Sequence, residues 1–250
     1  MALLAIMVHS YRGGTGKTLL SANLAASYSK KEKICLLDYD FRAPSLQGMF
    51  NVPTPDFWTN DFLNGDCEIK EAISEIYPNL YVGLACPDAE AIRDIVGKSR
   101  NWETEALNRT VSLKNTLTDM GFTKLIFDTP PGLAYSSINA VIASDVVALV
   151  MRMESLDILG TKEMMKGVYE LLEKPSFVVV NMVLPAQQKA LASTMEKIFG
   201  NQILGYIPCL CEVKSYIAEG KLILIDEKLD YSDAVLKLAQ DIESYCKNQN

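Results

Sequence analysis

A strand, a glycine-rich loop and a helix in immediate succession constrain this chain more than any other feature. The apolar run Leu3-Leu4-Ala5-Ile6-Met7-Val8 leads into His9-Ser10-Tyr11-Arg12-Gly13-Gly14-Thr15-Gly16-Lys17-Thr18, and an alanine-rich helical pattern follows. Glycines let successive backbone N–H groups turn toward one anion, and the helix N-terminus adds its partial positive charge. In such a cradle Lys17 would reach the β- and γ-phosphates of a nucleotide, and the Thr18 hydroxyl would bind Mg²⁺. The common pattern G-x-x-x-x-G-K-[ST] needs a glycine where Tyr11 stands. The shorter form [KR]-G-G-x-G-K-T fits instead, and it places a second cation, Arg12, at the start of the loop.

Two further strands end in carboxylates. Ile34-Cys35-Leu36-Leu37-Asp38 reads as a buried strand, and Asp40 follows two residues after its last carboxylate. In an open parallel sheet the carboxyl ends of the strands are where ligands bind. A lone acidic residue there is commonly a turn or helix cap; a pair about twenty residues past a phosphate loop points to function. Lys124-Leu125-Ile126-Phe127-Asp128 repeats the pattern and runs into Thr129-Pro130-Pro131-Gly132. Asp128 has the form of a carboxylate that holds Mg²⁺ directly or through water, and the stiff loop after it suits a γ-phosphate sensor.

The remaining pattern alternates. Glu103–Met120 reads as a helix stopped by Gly121, Asp145–Met151 as a strand, Leu156–Leu172 as a helix and Ser176–Asn181 as a strand. Ala186–Phe199 reads as a helix, Gln202–Ile207 as a strand and Asp233–Lys247 as a helix. The expectation is α/β: a single doubly wound, mostly parallel sheet with helices on both faces, one domain over residues 1–250. Residues 51–100 are broken by Pro53, Pro55, Asn64-Gly65, Pro78 and Pro87, and predict two small helices and a strand near Leu80–Leu84. Phe57, Trp58 and Phe62 in that stretch are expected to pack short helices against the sheet.

Bulk properties exclude several classes. No apolar run approaches the ~20 residues of a membrane span, and Met1–Val8 lacks the form of a signal peptide. The net charge is −7 without a dense basic block, so no strong nucleic-acid signature exists. Lys30-Lys31-Glu32-Lys33 sits where the first helix should end and suits its dipole. Six scattered cysteines fit a reducing, cytoplasmic setting. Cys209 and Cys211 are expected to be buried, apolar-like thiols. His9, the only histidine, is expected to be a packed strand-end residue.

Arg-Gly-Gly-Thr-Gly-Lys-Thr (12–18), Asp-Tyr-Asp (38–40) and Asp-Thr-Pro-Pro-Gly (128–132), in that order, resemble the MinD/ParA family of deviant-Walker-A ATPases. The likeness covers roughly Leu3 to Pro208, and it extends to metal-cofactor maturation factors of the Mrp type. It implies a P-loop NTPase fold, ATP and Mg²⁺ as cofactors, and a homodimer in the ATP state. By this resemblance Gly13, Gly14, Thr15, Gly16, Lys17, Thr18 and Leu19 would bind the nucleotide. Asn181 would read the base edge, and Pro208 with Cys209 would flank the ring. Thr18, Asp38 and Asp128 would serve Mg²⁺, while Arg12, Lys17 and Asp40 would be catalytic, Arg12 acting on the nucleotide of the opposite subunit.

Lysine is usual in the family where Arg12 stands. Arginine keeps the charge but is bulkier and forked, so trans-activation would survive, weaken or change geometry, or Arg12 would merely pair with a nearby carboxylate. The implied role is a dimerisation switch in positioning or partitioning of cargo, aided by a protein activator or cargo adaptor. Alternatives are metal-cofactor maturation through Cys209 and Cys211, and a nucleotide-bound scaffold with negligible turnover. The apolar stripe of the last helix (Val235, Leu238, Ala239, Ile242, Cys246) is expected to pack on the domain, leaving no intrinsic membrane anchor.

Overall fold

The computed structural model describes residues 3–249 apart from 51, 185 and 187. Among these residues eight strands form one sheet: β1 (Leu4–His9), β2 (Ile34–Asp38), β3 (Ile73–Tyr77), β4 (Leu80–Gly83), β5 (Lys124–Asp128), β6 (Val146–Met151), β7 (Ser176–Val183) and β8 (Ile203–Pro208). Their spatial order is β3-β4-β2-β5-β1-β6-β7-β8. All neighbours are parallel except β3 with β4.

The central strands are buried almost throughout and apolar except at their ends because helices cover both faces. Ala5, Met7, Leu37, Phe127, Leu149 and Val180 enter one core layer, and Ile6, Val8, Leu36, Ile126, Val150 and Val179 the other. The second layer holds α1 (Lys17–Ser29) and the last helix, α11 (Asp230–Gln249). Alanines at 22, 25 and 26 let α1 lie close between sheet and α11, and Tyr28 Oη donates to the Ala239 carbonyl at 2.9 Å. Val235, Leu238, Ala239 and Ile242 are buried, so the stripe of α11 packs inward as expected. Among the described residues no helix is long and apolar enough to cross a membrane.

The stretch from 51 to 100 is richer than its sequence pattern suggests. It forms α3 (Thr59–Asn64), α4 (Ile69–Ala72), the β3–β4 hairpin and α5 (Ala89–Val96), after a short α2 (Leu46–Phe50). Strand β3 escaped notice because it is an edge strand with Ser74 and Glu75 exposed, which dilutes the apolar run. Its turn uses Asn79 at φ 62, a left-handed position that asparagine tolerates. Phe62 is buried, and Phe57 and Trp58 pack half-buried against the core, as expected of them. Helix α6 (Arg100–Asp119) starts earlier than the apolar spacing predicts, because Ser99 Oγ caps it by accepting from Trp102 N; it stops before Gly121 (φ 83).

Two corrections fall in the second half. The helix expected over 156–172 divides into α8 (Ser155–Met164) and a π-helical turn, Met165–Tyr169. Glu170 N bonds Met165 O, five residues back, and the wider turn carries Tyr169 wholly into the core. A helix absent from the sequence reading, α10 (Cys211–Ala218), follows β8. It leaves Cys211 exposed and Cys209 half-buried, so the expectation of two buried thiols is wrong: Val213, not either cysteine, is the buried residue of this helix. The helix expected over 186–199 is α9 (Gln188–Phe199), preceded by Gln187, which lies outside the described residues, and α7 (Tyr135–Ala143) joins β5 to β6.

His9 closes β1 as a packed residue. Its Nε2 faces the Gly132 carbonyl at 2.8 Å and therefore carries the proton, which leaves Nδ1 to accept from the Tyr169 hydroxyl. Burial lowers its pKa to about 4. A base depressed in this way stabilises the fold above its unfolded pKa and loses that contribution as pH falls from about 6.5 to about 4, a loss of about 3 kcal/mol. Urea unfolding of wild type and His9→Gln from pH 7 to pH 4 should show the stability difference shrinking by that order. Buried carboxylates titrate in both proteins, so the difference isolates the imidazole, and a flat difference would refute its neutral burial.

Candidate functional site

The carboxyl ends of β1, β2, β5, β7 and β8 bring the sequence-predicted residues to one edge of the sheet. The loop after β1 lies where strand order departs in both directions, with β5 on one side and β6 on the other. Gly14 and Gly16 adopt φ 75 and 84, left-handed conformations that other residues enter at a cost. Gly16 is further constrained by space, since a Cβ there would sit 2.4 Å from Asn181 Nδ2. Gly13 and Gly14 are exposed, Thr18 and Leu19 half-buried. Thr15 is buried, and its Oγ1 has no hydrogen-bond partner among the described residues.

Lys17 opens α1 and is buried. Burial lowers its pKa, and the carboxylates of Asp128 and Asp40 resist that shift. Asp128 lies opposite Asp38 in the β2–β5 register and opposite Val8 in the β1–β5 register. Desolvation raises the Asp128 pKa to about 6, against the opposing pull of Lys17 and of hydrogen bonds from Thr18 and Ser21. The Ser21 bond to Asp128 Oδ1 measures 2.9 Å. Ser21 escaped the sequence reading, although a hydroxyl one helical turn beyond Lys17 shares its face and was a usable signal.

Asp38 is fully buried, and desolvation, then Asp128, raises its pKa well above the ordinary carboxylate range. Its oxygens accept from the backbone N–H groups of Asp40 (3.0 Å), Ser45 (3.4 Å) and Leu46 (3.3 Å). It thereby pins the loop that carries Asp40. Asp40 is half-buried, and its Oδ1 accepts from Arg42 N and Ala43 N, an Asx-type turn. The second loop is tied to the first: Gly132 N donates to Ser10 O at 2.9 Å, and Thr129 Oγ1 to Val8 O at 2.9 Å.

Asn181 and Pro208 reach the same edge from β7 and β8. Asn181 Nδ2 donates to the Thr15 carbonyl at 2.7 Å, while its Oδ1 accepts from Met182 N. Met182 takes φ 58 within a register shift of the β7–β8 ladder. Cys209 N donates to Val183 O, which holds the segment after Pro208 against β7. Among the described residues no group of three or more His, Cys, Asp or Glu gathers as a metal site.

Arg12 stands apart. Its side chain is 44 % exposed, and its Nη1 lies 3.8 Å from Oδ1 of Asp157, in the first turn of α8. That oxygen is buried and has no hydrogen bond among the described residues, so the contact is a loose ion pair. The other Asp157 oxygen accepts from Arg152 Nε at 3.3 Å. No local sequence signal pairs residue 157 with the loop; only the fold does. Next to Arg12, the Tyr11 ring lies on Gly160, where any Cβ would collide with it at about 2.1 Å.

The residues present fit a magnesium-bound nucleotide. An orphaned hydroxyl at Thr15, a glycine cradle, a buried ammonium and a buried carboxylate beside the Thr18 hydroxyl supply donors for phosphate and ligands for a hard cation. The comparisons agree. The chain is 26 % identical over 238 residues to an uncharacterised ATP-binding protein of Methanocaldococcus jannaschii, covering 94 % of this chain and 86 % of that one. It is 29 % identical to the flagellum site-determining protein YlxH of Helicobacter pylori, covering 87 % and 74 % respectively. The septum site-determining protein MinD of Pyrococcus horikoshii, in complex with Mg-ADP, superposes with a TM-score of 0.81 at 20 % identity over 99 % of both chains. The CobQ/CobB/MinD/ParA nucleotide binding domain matches residues 6–223, and this chain belongs to that family.

Proposed function

We propose that this protein is a Mg²⁺-dependent ATPase, one domain working in the cytoplasm as an ATP-dependent dimerisation switch that positions or partitions cargo. The observation that carries the reading is the outward stance of Arg12. A cation at the mouth of its own cradle, held among the described residues only by a loose pair with Asp157, is free to serve phosphates on another subunit. Tyr11, which packs on Gly160 of α8, and Leu156 and Leu159 of that same helix are exposed, as is Leu133, apolar surface suited to a second copy. Relatives named for determining flagellum and septum sites support the positioning role.

In this reading the backbone of Gly13–Thr18 and Lys17 hold the phosphates, with Leu19 beside the nucleotide. Asn181, Pro208 and Cys209 border the base. Thr18 would hold Mg²⁺, with Asp38 and Asp128 ordering its hydration shell; the ion supplies charge neutralisation at the β- and γ-phosphates. Asp40, on the loop that Asp38 pins, orients the attacking water. Arg12 of each subunit places positive charge where the transition state gathers negative charge on the opposite nucleotide. Loss of the γ-phosphate frees the 38–45 and 128–135 loops, and a protein activator or adaptor would act on that step.

Light scattering of Asp40→Ala should show a monomer without nucleotide and a dimer with Mg-ATP; a monomer in both conditions would sink the switch. Lys17→Ala should abolish nucleotide binding by fluorescence titration, because the buried ammonium is the principal cation of the cradle. Arg12→Ala should keep ATP affinity within about threefold while turnover falls at least about a thousandfold, the lower end of the range for loss of an arginine finger. Unchanged turnover in that variant would remove the trans role.

A further inference from the structure

The stretch from 51 to 100 holds nine carboxylates against four cations, so one fifth of the chain carries five of its seven net negative charges. Part of that charge surrounds a cleft of about 750 Å³ between α3 and α5, beyond the end of β4. Asp61, Asp88, Glu90 and Asp94 line it, and Trp58 forms part of its wall. Arg93 is the cation among its lining residues; Lys98 lies outside the lining and is paired with Asp94 at 2.6 Å. Asp88 and Glu90 are exposed and make no ion pair among the described residues.

A second observation points to an occupant. Asn60 also lines the cleft and is only 5 % exposed. Its Oδ1 accepts from Cys86 N at 2.9 Å, which fixes the amide plane, yet its Nδ2 has no hydrogen-bond partner among the described residues. Buried amide N–H groups are normally paired, and one left over on a residue that lines a cleft marks a place for an acceptor. Asp61 Oδ2 already accepts from Trp58 N at 2.7 Å and Asp94 holds Lys98, so it is the exposed carboxylates of Asp88 and Glu90 that ask for cations; the amide asks for a carbonyl, and the indole offers a face on which a guanidinium or an alkyl stem can lie. A basic peptide segment has all three: charged side chains, backbone carbonyls and long stems. A nucleic acid or phosphate ligand has the wrong sign for this surface.

We infer that the cleft formed by Trp58, Asn60, Asp61, Asp88, Glu90 and Asp94 is a docking site for an arginine- or lysine-bearing extended segment of a partner protein. None of these residues belongs to the nucleotide site, so binding here is separable from ATP turnover.

The test is calorimetric titration of the full chain with an acetylated, amidated peptide of alternating Arg and Ala, eight residues long. The comparison ligands are the matching Glu/Ala peptide and spermidine, which has charge but no carbonyl. Saturable binding of the Arg/Ala peptide is expected, weakened at least about tenfold in Asp88→Asn/Glu90→Gln, whose exposed substitutions leave the fold intact. Asn60→Ala, its folding checked by thermal melting, should weaken the peptide about fivefold and leave spermidine unchanged. Equal binding of the Glu/Ala peptide, no saturation, or wild-type affinity in the double variant would overturn the site. Spermidine binding as tightly as the peptide would reduce it to a cation sink and overturn the peptide proposal. Because the readout is binding, failure here leaves the ATPase reading standing, and loss of ATPase activity leaves this one.

Discussion

Asp38 and Asp128 face each other across adjacent strands inside the protein, with the Lys17 ammonium as the nearby buried countercharge. Burial strips both of their hydration, which is the main reason both titrate above the ordinary range, and the charge of Asp128 raises Asp38 further. For Asp128 the displacement to about 6 corresponds to about 3 kcal/mol of destabilisation when it is ionised at neutral pH. This contribution runs opposite to that of His9: it favours the fold in acid and is lost as pH rises through 6. The arrangement persists because the sheet, packed on both faces, over-determines it. A phosphate-bound cation at Thr18 would relieve it, so the site is built to be more comfortable filled.

Much of this is legible in the sequence, and the reasons are local. A glycine-rich loop, a following helix and strands ending in carboxylates are short-range patterns, and the order of a parallel sheet then carries them to one edge. Asp157, Tyr169 and Met182 were not legible. Asp157 meets Arg12 only because β6 lies beside β1, and Tyr169 meets His9 only because a π-turn shifts the helix register. Residues 51–100 failed for another reason: their helices run four to eight residues and their edge strand is half polar, so no periodicity builds up. The thiols of 209–211 depart from the expected burial because α10 begins at Cys211 and leaves it exposed.

The loop's surroundings also set how far it can vary. Asn181 holds the carbonyl of Thr15, and its amide occupies the space a Cβ at Gly16 would need. Gly160 yields the same kind of room to Tyr11. A strand and a helix distant in sequence are therefore shaped around the loop. Left-handed Met182 is the residue at which that fit bends β7 out of register with β8.

His9 binds the phosphate-loop strand, through one ring, to Gly132 of the second loop and to Tyr169 behind α8. Since the chain has no other histidine, its imidazole nitrogens give an unobscured magnetic resonance signal. The protonated Nε2 reports on the Gly132 carbonyl and Nδ1 on the tyrosine, so rotation of that peptide plane would move one nitrogen shift ahead of the other. The protein thus carries a native spectroscopic probe between its two loops, readable without labels that would disturb either.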